Sequence, residues 1–109
     1  MSILDYKQIQ NEQTTIGTGD YISVASADNL VMSIYGTSTS FSITFLGSLD
    51  GINYFSISGT KLADPLSFSA TSSKLDEAWE FDVSGLNYCK ASLTAIANGN
   101  ISVVANAHK

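Results

Sequence analysis

Between residues 40 and 57 the chain reads SFSITFLGSLDGINYFSI, and this stretch constrains the fold more than any other. Phe41, Ile43, Phe45, Gly47 and Leu49 share one parity, while Ser42, Thr44, Leu46 and Ser48 share the other. That is the period of a strand buried on one face. Asp50-Gly51 interrupts the alternation and Tyr54-Phe55-Ser56-Ile57 resumes it. Asp and Gly both tolerate the positive φ of tight turns, so the stretch predicts a β-hairpin closed either by two residues or by the longer loop 50–53. A lone hairpin is barely stable in water, so other strands must cover its apolar face.

The remaining sequence supplies them. Residues 21–25, 30–35, 66–70, 79–83, 86–95 and 101–105 each alternate apolar with polar or small side chains. Turn clusters such as Gly17-Thr18-Gly19-Asp20, Ser26-Ala27-Asp28-Asn29 and Asn98-Gly99-Asn100 separate them. Parity places Leu66, Phe68 and Ala70 inward with Ser67 and Ser69 outward, sends Trp79 and Phe81 to the core, and puts Cys89, Ala91, Leu93 and Ala95 on one inner face. The stretch 71–77 reads as a mobile loop. No segment carries the spacing of an amphipathic helix. About eight short strands with regular turns predict an all-β, antiparallel β-sandwich, with a small closed barrel as the alternative. Residues 1–16 are rich in Gln, Asn and Thr without a clean period. They are expected to form an N-terminal arm, the alternative being an edge strand or an arm packed on a neighbouring subunit. Residues 17–109 are expected to be the single β-sandwich domain.

Composition narrows the function classes. The formal net charge is −5, and the chain has five lysines and no arginine, so it lacks the basic stripe that displaces counterions from nucleic acid. No nucleic-acid partner is expected. No polybasic cluster exists for anionic lipid either. Cys89 is the only cysteine, which excludes an intrachain disulfide. The amino terminus lacks a basic start, an apolar core and a small-residue cleavage site, so no signal peptide is expected and synthesis is expected in a cytoplasm.

Catalytic stock is thin. His108 lies next to the carboxyl terminus, a poor place for a rigidly held base. Cys89 sits on an apolar parity with no basic neighbour of that parity, and reads as a buried structural thiol. Glu77, Glu80, Asp76 and Asp82 read as solvated edge charges rather than as a pair across a cleft. Asp28, Asp64 and Asp76 fall in expected loops, but without the dense acidic spacing of a calcium loop. No catalytic, cofactor or metal residue is assigned. The candidate interface or ligand surface is aromatic and apolar: Tyr21, Tyr35, Tyr54 and Tyr88 on the less apolar parity or at strand ends, with Tyr6 and Ile9 in the amino-terminal stretch.

Two segments carry a family resemblance: Gly47-Ser48-Leu49-Asp50-Gly51-Ile52-Asn53-Tyr54-Phe55, and Glu80-Phe81-Asp82-Val83-Ser84-Gly85-Leu86-Asn87-Tyr88-Cys89-Lys90-Ala91. They resemble a pattern in small β-domains of bacteriophage and prophage proteins, in which a Ser-x-Asp-Gly-x-x-aromatic hairpin precedes a Phe-Asp-Val-Ser-Gly-Leu-x-Tyr turn into a long strand. Order and spacing fit over most of residues 40–104. The chain is similar to the XepA/YomS family of prophage lytic-cassette proteins, and its one-domain length is YomS-like. The resemblance implies a C2-like sandwich assembling into a ring-shaped homopentamer, encoded beside phage lysis functions. XepA-like members carry two such domains, so a lytic activity needing both is not carried over, and neither is a calcium site. The expectation is a non-enzymatic phage or prophage accessory protein associated with host-cell lysis and acting as a homo-oligomer. Its further partners would be the cell envelope or other phage proteins. It would be made in the host cytoplasm and released, or bound to the envelope, at lysis. The alternative is a carbohydrate- or cell-wall-binding module of a phage tail or baseplate.

Overall fold

A computed structural model describes residues 3–109. The strands in chain order are β1 (Ile3–Gln13), β2 (Ile22–Ser23), β3 (Asn29–Gly36), β4 (Ser40–Ser48), β5 (Tyr54–Ser56), β6 (Gly59–Lys61), β7 (Asp64–Ser69), β8 (Thr71–Ser72), β9 (Ala78–Asp82), β10 (Tyr88–Ala97) and β11 (Ile101–His108). They form two antiparallel sheets. One has the order β1-β11-β3-β9-β6-β7; the other has the order β2-β10-β4-β5, with β8 also pairing with β4. The hairpin predicted from residues 40–57 is β4 and β5, joined by the longer of the two loops considered. The fold is an all-β sandwich, with eleven strands where about eight were expected. The additions are β1, β6 and β8, of which β6 and β8, of three and two residues, are too short to show a period.

The core lies between the inner faces. Leu30, Met32 and Ile34 of β3, Trp79 and Phe81 of β9, and Val103 and Ala105 of β11 face Phe41, Ile43 and Phe45 of β4 and Cys89, Ala91 and Leu93 of β10, all buried. Phe45 stands at the centre, its ring 4.8 Å from that of Phe81, edge to face, and 5.8 Å from that of Trp79. Gly59 makes room for this cluster, because a Cβ there would sit 2.5 Å from Cε2 of Phe81. Burial pushes the Cys89 thiol up to about 12, so the reactive thiolate is suppressed. A thiol reagent at pH 8 is expected to leave the folded protein unlabelled and to modify one thiol per chain once denaturant is added; rapid labelling without denaturant would contradict the buried placement.

Five expectations need correction. Residues 3–13 are not an arm: β1 pairs along β11 as an edge strand of the larger sheet, the alternative weighed for this stretch. A bulge at Ile9, between the pairs Gln8–Val104 and Gln10–Val103, turns two consecutive side chains inward and erases the period. Ile9, expected on a surface, is therefore core, at 2% exposure. Gln10 is buried beside it, donating from Nε2 to the carbonyls of Ala91 (2.7 Å) and Gly17 (3.2 Å), which satisfies its amide N–H donors away from water.

The stretch 71–77 is not a free loop. It begins as β8 against β4, and its end is tied to β3 by Asp76 N–H to Ile34 O (2.8 Å) and Ile34 N–H to Glu77 O (3.0 Å). Leu66 and Phe68 point outward rather than inward. The inward residue of β6 is Gly59, which pairs with Ser69, so the adjacent pair Thr60–Phe68 faces away from the core. Ala95 is also exposed. A second bulge, at Thr94 between the pairs Leu93–Ile43 and Ala95–Ser42, resets the parity so that Ile96 rather than Ala95 packs against the core.

Candidate functional site

The outer face of the five-stranded sheet carries an aromatic cleft. Register lines up Tyr54 of β5, Ser48 of β4, Tyr88 of β10 and Ser23 of β2 in one row across four strands. Ser48 between the two tyrosines is small, and the hairpin tip folds back over it: its Oγ donates to Asp50 Oδ1 (3.1 Å) and accepts the N–H of Gly51 (2.9 Å). Tyr21, just before β2, packs edge-on against Tyr88 with ring centroids 5.2 Å apart. Tyr21, Tyr54 and Tyr88 thus wall a cleft of about 210 Å³ with Asp50 and Gly51. Gly51 has φ +77°, and a Cβ there would lie 3.1 Å from the Tyr88 ring, so glycine meets both the turn conformation and the close approach.

Charged groups surround the rings. Lys90, two residues beyond Tyr88 on the same face, reaches across β4 to place Nζ 4.6 Å from the centroid of Tyr54. Lys7 Nζ stands 4.8 Å from the centroid of Tyr21 and 3.1 Å from Asp20 Oδ2. Burial raises the Tyr54 phenol above its ordinary value, so all its chemistry near neutrality is that of a hydroxyl.

Asp50 fixes the tip. Its Oδ1 accepts the N–H groups of Asn53 and Ile52, both at 2.8 Å, and its Oδ2 accepts Asn53 Nδ2 at 2.9 Å. Those bonds hold its carboxyl well below the usual range. A folded-state value below the unfolded one, about 3.9, means that the bonds help stability fully above that pH and lose their effect as pH falls through the depressed value. Asp50→Asn is expected to lower the urea midpoint at pH 7 and to show a smaller further loss than the parent between pH 5 and pH 2. Parallel acid profiles for the two proteins would contradict this role.

The six residues singled out from sequence separate. Tyr21, Tyr54 and Tyr88 converge. Tyr35 and Tyr6 lie on the outer face of the other sheet, opposite Ser102 and Asn106, and Ile9 is in the core. Asp50, Gly51, Lys90 and Lys7 were not foreseen as members; the shared parity of Tyr88 and Lys90 was the one available signal. Asp28, Asp64 and Asp76 are not brought together as a metal-ligand group, and no such group occurs among the described residues.

A second cleft, at the seam between the sheets, is lined by Lys61, Glu77, Trp79 and the hydroxyl residues of 69–73. Lys61 Nζ lies 2.6 Å from Glu77 Oε2, and Ser72 Oγ donates to Glu77 Oε1 at 2.9 Å. Burial pushes the Glu77 carboxyl up, but the bonds from Lys61 and Ser72 outweigh it and leave it below the usual range.

Apolar residues mark two opposite edges. At the β7 edge, Leu66 is 89% exposed and Phe68 72%, with Leu62 beside them. On the β2 side of β10, the segment before β2 bridges Leu93 at Gly17, and a largely apolar cleft of about 460 Å³ opens between Ile16, Gly17, Thr18, Ser92, Leu93 and Thr94.

The sequence profile of the XepA family matches residues 6–107. The chain belongs to the XepA family. This XepA-family chain is 35% identical over 95 residues to YqxG of Bacillus subtilis (strain 168), a match covering 82% of the chain but 30% of YqxG, so the chain spans less than a third of that relative. Two solved structures share the fold. The SPBc2 prophage-derived protein YomS superposes with a TM-score of 0.87 at 21% identity, over 94% of this chain and 90% of YomS. The PBSX exported protein XepA superposes with a TM-score of 0.89 at 23% identity, over 94% of this chain and 37% of XepA. Among the described residues of the XepA-family chain, no helix is long and apolar enough to cross a membrane.

Proposed function

We propose that the chain is a non-enzymatic accessory protein of a phage or prophage, associated with host-cell lysis, that acts as a closed ring of five identical subunits. The observation that carries assembly is the pair of unlike apolar patches on opposite edges, Leu62, Leu66 and Phe68 beyond β7 and the Ile16–Leu93 cleft beside β2. A head-to-tail ring needs two different complementary patches on each subunit, whereas a two-fold dimer needs one self-complementary patch. Large side chains this exposed are what subunit contacts bury.

Family membership supports the phage setting, since YomS is prophage-derived and XepA belongs to PBSX. The non-enzymatic reading is supported by the placement of the two most nucleophile-like side chains. Cys89 is buried in one sheet with a raised thiol, and His108 lies at the end of β11 in the other.

Deleting the coding sequence from an inducible prophage that carries it tests the lysis association. Induced cells are expected to lyse later or less completely, with phage particles of normal structure inside. Normal lysis with defective particles would overturn the reading and favour a virion role.

A further inference from the structure

We infer that the cleft of Tyr21, Tyr54 and Tyr88 is a binding site for an uncharged pyranose ring of a polysaccharide. Two of the three phenol rings are held on paired strands, Tyr54 and Tyr88 flanking Ser48 in register, and Tyr21, just before β2, is packed edge-on against Tyr88. The floor between them is the backbone of Asp50 and Gly51, pinned by bonds to Ser48. A site built this way exists before its ligand arrives, so little ordering entropy is lost on binding. Its volume of about 210 Å³ lies below the roughly 300–1,000 Å³ of sites for drug-sized molecules, and suits a single ring presented from solvent.

The electrostatics select among small ligands. A quaternary ammonium would be repelled by the like charges of Lys90 and Lys7, whose amines already stand over one face each of Tyr54 and Tyr21. A phosphate or carboxylate would find Lys90 and Lys7 offset by Asp50 and Asp20, in a chain of net charge −5. What the cleft offers is flat hydrocarbon rimmed by hydrogen-bonding groups: phenol hydroxyls, a carboxylate and an ammonium. A pyranose presents the matching surface, an apolar C–H face with hydroxyls around its edge. Aromatic rings with a polar tip serve such half-wet contacts well. The site shares no lining residue with either edge patch, so its failure would leave the assembly reading standing.

The test is an amide NMR titration of the full chain with uncharged trisaccharides of glucose, of galactose and of N-acetylglucosamine. Choline and glycerol phosphate serve as the cationic and anionic probes. At least one trisaccharide is expected to give saturable shifts at Tyr21, Gly51, Tyr54 and Tyr88 at millimolar concentration. Tyr54→Ala or Tyr88→Ala should weaken that binding by about tenfold or more, and Tyr35→Ala on the opposite sheet should leave it unchanged. Tyr54→Phe, which keeps the ring and fold, should bind measurably more weakly than the parent and more tightly than Tyr54→Ala. Absence of binding by all three sugars, tighter binding of choline or glycerol phosphate at the cleft, or sugar binding indifferent to both alanine variants overturns the inference.

Discussion

Phe45→Ala is expected to cost about 3–5 kcal/mol of stability, the range found for removing a buried aromatic ring. Phe45 is fully buried between the sheets and packs on both Phe81 and Trp79. Its backbone is committed as well: its N–H donates to Ala70 O at 2.9 Å and its carbonyl accepts Ile57 N–H at 3.0 Å, where the chain leaves one sheet and returns to it. Those bonds hold the backbone around the void in place, which limits its collapse and keeps the cavity penalty large. Against the roughly 5–15 kcal/mol that holds a typical domain together, that loss leaves a protein near the edge of folding. Urea unfolding on an assembly-deficient background reads it directly, because subunit association would otherwise add concentration-dependent stability. A loss below about 0.5 kcal/mol, within the range of an ordinary surface change, would mean that Phe45 is not the hub of the core.

The second large effect concerns association. Phe68→Asp and Ile16→Asp each place a charge in one of the two edge patches without touching the core, since both side chains are exposed. Each variant alone is expected to be monomeric at micromolar concentration by light scattering, with an unchanged unfolding midpoint when compared as monomers. Each also keeps one intact patch, and the intact patches are complementary. An equimolar mixture should therefore form a one-to-one heterodimer and stop there, because neither remaining surface can extend it. Assembly through a single self-complementary patch gives a different outcome: one variant would dissociate, the other would not, and mixing would add nothing. Persistence of full assembly in both variants would show that neither edge is an interface.

The fold could be read from sequence where burial on one face imposed a strict alternation. Residues 40–57 and 79–83 are the clearest cases: β4 and β5 lie within the first, and β9 overlaps the second. It could not be read where a bulge broke the count. Ile9 in β1 and Thr94 in β10 each insert one residue, and parity is then wrong for everything beyond, as for Ala95. It also failed at an edge. The alternation of Leu66 and Phe68 with serines is real, but periodicity does not say which face is inside, and Gly59 under Phe81 decided that from another strand.

The candidate site was half legible for the same reason. Tyr21, Tyr54 and Tyr88 were placed on an outer face by parity, but their convergence depends on strand order β2-β10-β4-β5, which a single sequence does not encode locally. Tyr6 and Tyr35 satisfied the same local criteria and lie on the other sheet. Asp50 and Gly51 were visible as a turn, and their second use as the floor of the cleft follows from the fold-back over Ser48.

Native mass spectrometry of the full chain at micromolar concentration tests the proposed mode of action most directly. The expected spectrum is dominated by one species of five subunits, each of 11.6 kDa, with dimers and trimers appearing only on activation. A spectrum containing only monomer at that concentration would contradict the ring.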